Sequence, residues 1–128
     1  MSKRVAVVTG GVGGIGTEIC RYLAKGGYSV AATCIASEVD KIDEWKAQFD
    51  GADIEVFQLE ITDFEDCAKV TAEIEAKMGP ISCLVNNAGI TKDGTMKKMS
   101  KDMWDAVINI NLTGAFNMTK QVFTKSWA

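Results

Sequence analysis

Short apolar runs alternate along the chain with longer stretches in which apolar residues recur at helical spacing, the order expected of an α/β domain. Val5 to Thr9 is unbroken until Gly10, as in a strand buried on both faces, which is the usual state of parallel strands. Ile15, Ile19 and Leu23 then recur every four residues and predict a first helix, stopped by Gly26-Gly27. Tyr28 to Cys34 predicts a second strand. Ile42, Trp45 and Phe49 predict a second helix, closed by Asp50-Gly51, and Ile54 to Leu59 alternates as a third strand.

Thr62-Asp-Phe-Glu65 reads as a capping box, in which the Thr62 hydroxyl and the Glu65 carboxylate satisfy backbone donors orphaned at a helix start. Along the helix begun there, Phe64, Cys67, Thr71, Ile74 and Met78 share one side, and Gly79-Pro80 ends it. Ile81 to Val85 predicts the fourth strand. From Ser100 as N-cap, Trp104, Val107, Ile108, Ala115, Met118 and Val122 keep one helical phase almost to the last residue, with no stop signal. The pattern β-α-β-α-β-α-β-α gives one domain over residues 1–128, and the expectation is that it is interrupted at its C-terminal side.

With 128 residues and 47% apolar content, the chain can build a core without staples. It contains no histidine, which excludes His-based triads, imidazole acid–base chemistry and His metal ligands. Cys20, Cys34, Cys67 and Cys83 are too widely spaced for the close pairs of zinc sites, so no metal site is expected and all four read as packing residues. Fourteen Lys and Arg against seventeen Asp and Glu give a net charge of −3 with no basic run, so nucleic acid is not an expected partner. The apolar stretch at Val5 is far too short for a signal-peptide core or a membrane span, and the expectation is a cytoplasmic protein with reduced thiols.

Thr9-Gly-Gly-Val-Gly-Gly-Ile-Gly16 lies where the first strand gives way to a helix. Gly11, Gly13 and Gly16 fit G-x-G-x-x-G, and Gly10, Gly14 and Gly16 fit G-x-x-x-G-x-G. In either register glycine lets the backbone turn tightly against a pyrophosphate, which the free N–H groups and positive end of the helix attract. A surrounding βαβ unit points to a dinucleotide, and the absence of Gly-Lys-Ser or Gly-Lys-Thr argues against an ATP-type loop. An acid at the tip of the second strand would hold the ribose 2′-hydroxyl of NAD. Here Glu38 comes several residues past Cys34, which tilts the expectation toward NADP, with Lys41 the one nearby cation. Asn86-Asn-Ala-Gly89 comes after the fourth strand; its amides could tie strands together and face a cofactor, or simply form an Asx turn.

Together, Thr9-Gly-x-x-x-Gly-Ile-Gly16, Asn86-Asn-Ala-Gly89, Trp104 and Asn111-Leu-Thr-Gly114 resemble the short-chain dehydrogenase/reductase family. More narrowly, TGGVGGIGTEIC, NNAGITKDGTMKKM and MWDAVININLTGAFNMTKQV are similar to NADPH-dependent acetoacetyl-CoA reductases and to ketoacyl-carrier-protein reductases. The resemblance implies a Rossmann-type doubly wound parallel sheet, here of about four strands in the order 3-2-1-4, with helices on both faces. It implies hydride transfer between a nicotinamide and a carbonyl, with acetoacetyl-CoA or another 3-oxoacyl-CoA as substrate. It places Gly10, Gly13, Gly14, Ile15 and Gly16 at the pyrophosphate, and Asn87, Ala88, Gly89 and Ile90 along the adenosine and nicotinamide side. Glu60-Ile61 stands where the family meets the adenine with Asp or Asn before Val. Asn111 matches a catalytic asparagine that bends its helix and holds a relay water. Asp93, in the loop Ile90 to Met99, is the implied substrate contact. The last helix would join subunits of a homo-oligomer.

The resemblance also implies a serine and a Tyr-x-x-x-Lys pair, spaced so that both side chains share a helix face. The tyrosines of this sequence are Tyr22 and Tyr28, with Gly26 and Ala32 four residues on. The expectation is therefore a cofactor half that is inactive by itself. Its alternatives are a stand-alone nucleotide-binding module, or one half of a split enzyme completed by another chain.

Overall fold

A strand in the middle of a parallel sheet must hide both faces, and Val5, Ala6, Val7 and Val8 are all buried. The computed structural model describes residues 3–89 and 98–126. In chain order the elements are β1 (Val5–Val8), α1 (Gly14–Lys25), β2 (Ser29–Cys34), a 3₁₀ helix (Ala36–Lys41), α2 (Ile42–Ala47) and β3 (Ile54–Gln58). They continue as α3 (Phe64–Met78), β4 (Ile81–Val85), α4 (Lys101–Ile108), a π-helical turn (Asn109–Thr113) and α5 (Gly114–Ser126). The strands form one parallel sheet in the order β3-β2-β1-β4, the order that the resemblance implies. One irregularity occurs where Val5 pairs with Ile81 and Ala6 with Cys83.

Alternation along the strands sends side chains to two cores. Val5, Val7 and Ala31 meet Ile74 of α3 and Met118 and Val122 of α5 on one face, while Val8, Val30 and Ala32 meet Cys20 of α1 and Trp45 on the other. Helices thus cover both faces. The predicted stop of α1 is a Schellman motif: Gly27 has φ +93°, its N–H donates to the Ala24 carbonyl, and the Tyr28 N–H donates to that of Leu23. Cys20, Cys34 and Cys67 are buried and Cys83 half-buried, all as free thiols. No helix among the described residues is long and apolar enough to cross a membrane.

Several local expectations are corrected. The second helix stops at Ala47; Phe49 lies beyond it in a tight turn, its N–H bonded to the Lys46 carbonyl and its ring edge-on to Trp45 at 4.7 Å. The cap of α3 is Asp63, not Thr62. Asp63 Oδ1 accepts from the N–H groups of Glu65 and Asp66 at 3.0 and 3.1 Å, a charge-assisted pair that a hydroxyl cannot match. Phe64 is 42% exposed and stacks on Phe116 instead of entering the core. The final helix starts on Ser100, whose Oγ accepts from the Met103 N–H, but it is not continuous. Asn109–Thr113 is a π turn closed by Gly114 N–H to the Asn109 carbonyl. The extra residue rotates the helix beyond it by about 100°, so Trp104 and Ile108 are exposed while Met118 and Val122 are buried.

Candidate cofactor site

Because the strands are parallel, their carboxyl ends share one edge, where the chain leaves the sheet at Thr9, Ile35, Leu59 and Asn86. Between β1 and α1, Gly10 adopts φ +64° and its N–H donates to Thr33 Oγ1 at 3.0 Å, while the Gly11 N–H donates to the Thr33 carbonyl at 3.1 Å. Two glycines are closed to any side chain. A Cβ at Gly16 would run into the Gly10 carbonyl, and one at Gly11 would lie 2.7 Å from Ala32 Cβ. Gly13 and Gly14 differ: both are exposed, and nothing lies within 4 Å of a Cβ at Gly14. Gly13 offers α1 no side-chain cap, so first-turn N–H groups remain for an outside anion. This open, positive helix end fits a diphosphate. From behind, Trp45 Nε1 donates to Thr17 Oγ1 at 2.9 Å, and that hydroxyl donates to the Gly13 carbonyl at 2.6 Å.

The glycine loop is sewn to the end of β4 by Thr9, which is fully buried. Its Oγ1 accepts from the N–H groups of Asn87 and Ala88, each at 3.0 Å, and donates to the Val85 carbonyl at 3.4 Å. Asn87 Nδ2 returns the link by donating to the Gly10 carbonyl at 3.1 Å. A Cβ at Gly10 would sit 3.0 Å from Ala88 Cα, so the two loops are in van der Waals contact. Asn86 Nδ2 donates to Thr119 Oγ1 of α5 at 3.1 Å. Asn111, in the middle of the π turn, is exposed at its side chain, and its Oδ1 lies 3.0 Å from where a Cβ of Gly89 would be. Any side chain at 89 would therefore press on the Asn111 amide.

Gly10, Asn87, Ala88, Gly89 and Asn111 thus converge on one edge, with Gly13, Gly14 and the exposed Ile15 at the adjoining helix start. Glu60 and Ile61 lie on the far side of β2. The Ile61 side chain is in the core, and its carbonyl accepts from the buried Asn117 Nδ2 at 2.9 Å; the Glu60 carboxylate is exposed and accepts from Thr62 Oγ1 at 2.7 Å. Ile90 and Asp93 lie outside the described residues. Tyr22 is 79% exposed on α1. Sequence reasoning passed over Thr33 and Asn117, whose signal was a polar side chain within an otherwise apolar pattern.

The structure also corrects the premise drawn from Glu38. That residue comes after β2 at a distance in sequence, yet the 3₁₀ helix folds it back, and its Oε1 accepts from the Ile35 N–H at 2.9 Å. Burial first, and the Glu38 carboxylate second, raise the Cys34 thiol above its ordinary value.

Residues 4–126 match the family described as short chain dehydrogenase. The chain belongs to this family. Its relatives include an acetoacetyl-CoA reductase of Allochromatium vinosum, 51% identical over 122 residues, covering 94% of this chain and 50% of that protein. An acetoacetyl-CoA reductase of Shinella zoogloeoides is 47% identical over 122 residues, covering 95% and 49%. Among solved structures, ElxO with NADP bound superposes with a TM-score of 0.85 at 28% identity, covering 96% of this chain and 50% of that one. The chain spans about half the length of the curated relatives it matches. The short-chain dehydrogenase fold is the common ground of these likenesses, and the ElxO structure holds NADP.

Proposed function

We propose that residues 1–128 are the cofactor-binding half of a reductase that converts acetoacetyl-CoA, or a related 3-oxoacyl-CoA, to the 3-hydroxyacyl-CoA, with NADP(H) preferred over NAD(H). The observation that carries this reading is the join at the carboxyl edge, where the buried Thr9 hydroxyl holds the Asn87–Ala88 backbone against a glycine loop opening into an uncapped helix. Gly13, Gly14, Ile15 and Gly16 surround the diphosphate in this reading; Gly10 shapes the turn, and Glu60 and the Ile61 backbone border the adenine. The bound dinucleotide supplies the hydride. Asn87, Ala88, Gly89 and Ile90 border its nicotinamide side, and Asp93 contacts the substrate. Asn111, presented by the π turn, orients a water for proton relay. NADP in the related ElxO structure and the acetoacetyl-CoA reductases among the relatives support the choices of cofactor and substrate.

Neither tyrosine can act at this edge. Tyr22 projects from α1 into solvent, and Tyr28 precedes β2 at the opposite end of the sheet. A carboxamide does not exchange protons usefully near neutrality, so Asn111 cannot replace a tyrosine acid. The 128-residue chain alone is therefore expected to bind NADPH without reducing acetoacetyl-CoA. A second reading, completion by a partner carrying the tyrosine and lysine, is favoured by β4, which among the described residues pairs on one side only. The exposed Leu112, Phe116 and Phe123 support association of copies through α5. The test combines calorimetric NADPH binding with NADPH oxidation in the presence of acetoacetyl-CoA. Saturable binding without turnover is expected; turnover would overturn the inactivity claim, and absence of binding would overturn the cofactor site.

A further inference from the structure

We propose that Trp45 is a positioning residue for the diphosphate loop: acting through Thr17, it fixes the peptide between Gly13 and Gly14 and so aims the Gly14 N–H at the cofactor. The inference rests on the dinucleotide reading of the glycine loop and adds to it a side chain from α2, outside the loop and the helix that follows it.

Gly13 is the N-cap of α1, and one residue bonds its carbonyl twice. That carbonyl accepts the Thr17 N–H at 2.8 Å and the Thr17 hydroxyl at 2.6 Å. A trans peptide is planar, with its C=O and N–H pointing opposite ways. Holding the Gly13 carbonyl into the helix therefore turns the Gly14 N–H out of its start. As the first residue of α1, Gly14 has no intrahelical acceptor for that N–H, and it is exposed, with nothing within 4 Å of where a Cβ would be. The Thr17 hydroxyl has one proton and two carbonyls in reach, Gly13 at 2.6 Å and Val12 at 3.3 Å. The indole N–H of Trp45 can only donate, so at 2.9 Å it occupies a lone pair of Thr17 Oγ1 and polarises the O–H toward Gly13. The indole itself is held fast. It is 7% exposed, packs in the core with Val30 and Ala32 of β2, and meets Phe49 edge-on at 4.7 Å.

Thr17→Val deletes the relay at nearly constant volume, Thr17→Ser restores the hydroxyl, and Trp45→Phe removes the N–H while keeping an aromatic ring. Calorimetry on the 128-residue chain and these variants gives dissociation constants for NADPH and NADH. Loss of the orienting hydrogen bonds predicts about fivefold weaker binding in Thr17→Val, and about threefold in Trp45→Phe, which keeps the Thr17–Gly13 bond. Both dinucleotides should weaken by the same factor, because the diphosphate is common to them, and Thr17→Ser should bind as the unaltered chain does. Adding Trp45→Phe to Thr17→Val should cost nothing more, whereas a packing role for the ring would add its own loss. NMR of the unaltered chain gives a reading independent of variant stability. Its Trp45 indole N–H resonance, one of three and assigned by comparison with Trp45→Phe, should shift on addition of NADPH. An indole resonance that NADPH leaves in place, unchanged affinity in folded Thr17→Val, unequal losses for the two dinucleotides, or additive losses in the double variant would overturn the assignment. Failure of the unaltered chain to bind either dinucleotide would instead overturn the cofactor reading, and this inference with it.

Discussion

Thr9→Val is nearly isosteric and deletes only a hydroxyl, so it isolates the join between the glycine loop and β4. The hydroxyl is fully buried, accepts two backbone N–H groups at 3.0 Å each, and makes a long donation at 3.4 Å. Stranding a buried donor costs about 1 to 3 kcal/mol. Asn87 and Ala88 are only half-buried, and water can reach their N–H groups in part, so the low end applies to each. The expected loss is about 2 kcal/mol, or about 7 °C in Tm for a domain of this length at the usual entropy per residue. Urea unfolding tracked by the fluorescence of buried Trp45 measures it, with an unchanged m-value marking a stability effect alone. Thr9→Ser keeps the hydroxyl and forfeits one methyl, for a loss of about 1 kcal/mol. A Thr9→Val midpoint within about 0.5 kcal/mol of wild type, or a Ser variant as unstable as the Val variant, would refute the reasoning.

Thr71 Oγ1 is buried in the α3 core with no hydrogen-bond partner among the described residues, so Thr71→Val is expected to stabilise the fold by about 1 kcal/mol, measured by the same urea titration; destabilisation would show a hidden hydrogen bond. Gly16→Ala places a methyl against the Gly10 carbonyl and Gly11 backbone, which cannot swing away as a side chain could; calorimetry should show NADPH binding weakened more than tenfold. Burial pushes the Cys20 and Cys67 thiols up to about 11 from an ordinary value of 9.0. The folded chain therefore holds these protons where the unfolded chain has released them, so stability present below pH 9 is expected to fall as pH rises from 9 toward 11. Cys20→Ala/Cys67→Ala should flatten that decline in pH-dependent denaturation, and an unchanged slope would assign it elsewhere.

Much of the fold was legible because burial writes directly into the pattern. The all-apolar Val5–Val8 run and the Gly26-Gly27 stop required no tertiary information, and neither did the Gly79-Pro80 boundary. The features that escaped the sequence were settled by competition between neighbours. Asp63 displaced Thr62 as cap because a carboxylate is the stronger acceptor at a helix start. The periodicity alone did not show the π turn, because one added residue leaves the local pattern helical while rotating the face beyond it; only the resemblance, through Asn111, implied a bend there. At the site, the glycine and Asn-Ala-Gly motifs marked two loops that the structure brings together at one edge. The fastening between them did not show, since Thr9 looked like the polar end of a strand and Thr33 like its counterpart. Glu38 is the clearest lesson: distance along the chain placed it away from β2, whereas the 3₁₀ helix returns its carboxylate to the strand tip.

The central claim is that this chain builds a working dinucleotide cradle at its carboxyl edge. Titrating NADPH into the 128-residue chain by calorimetry, with the Gly16→Val variant in parallel, tests it most directly. The account predicts saturable binding of one NADPH per chain that the variant loses while it remains folded by circular dichroism. Absence of binding by the unaltered chain, or equal binding by the folded variant, would contradict it.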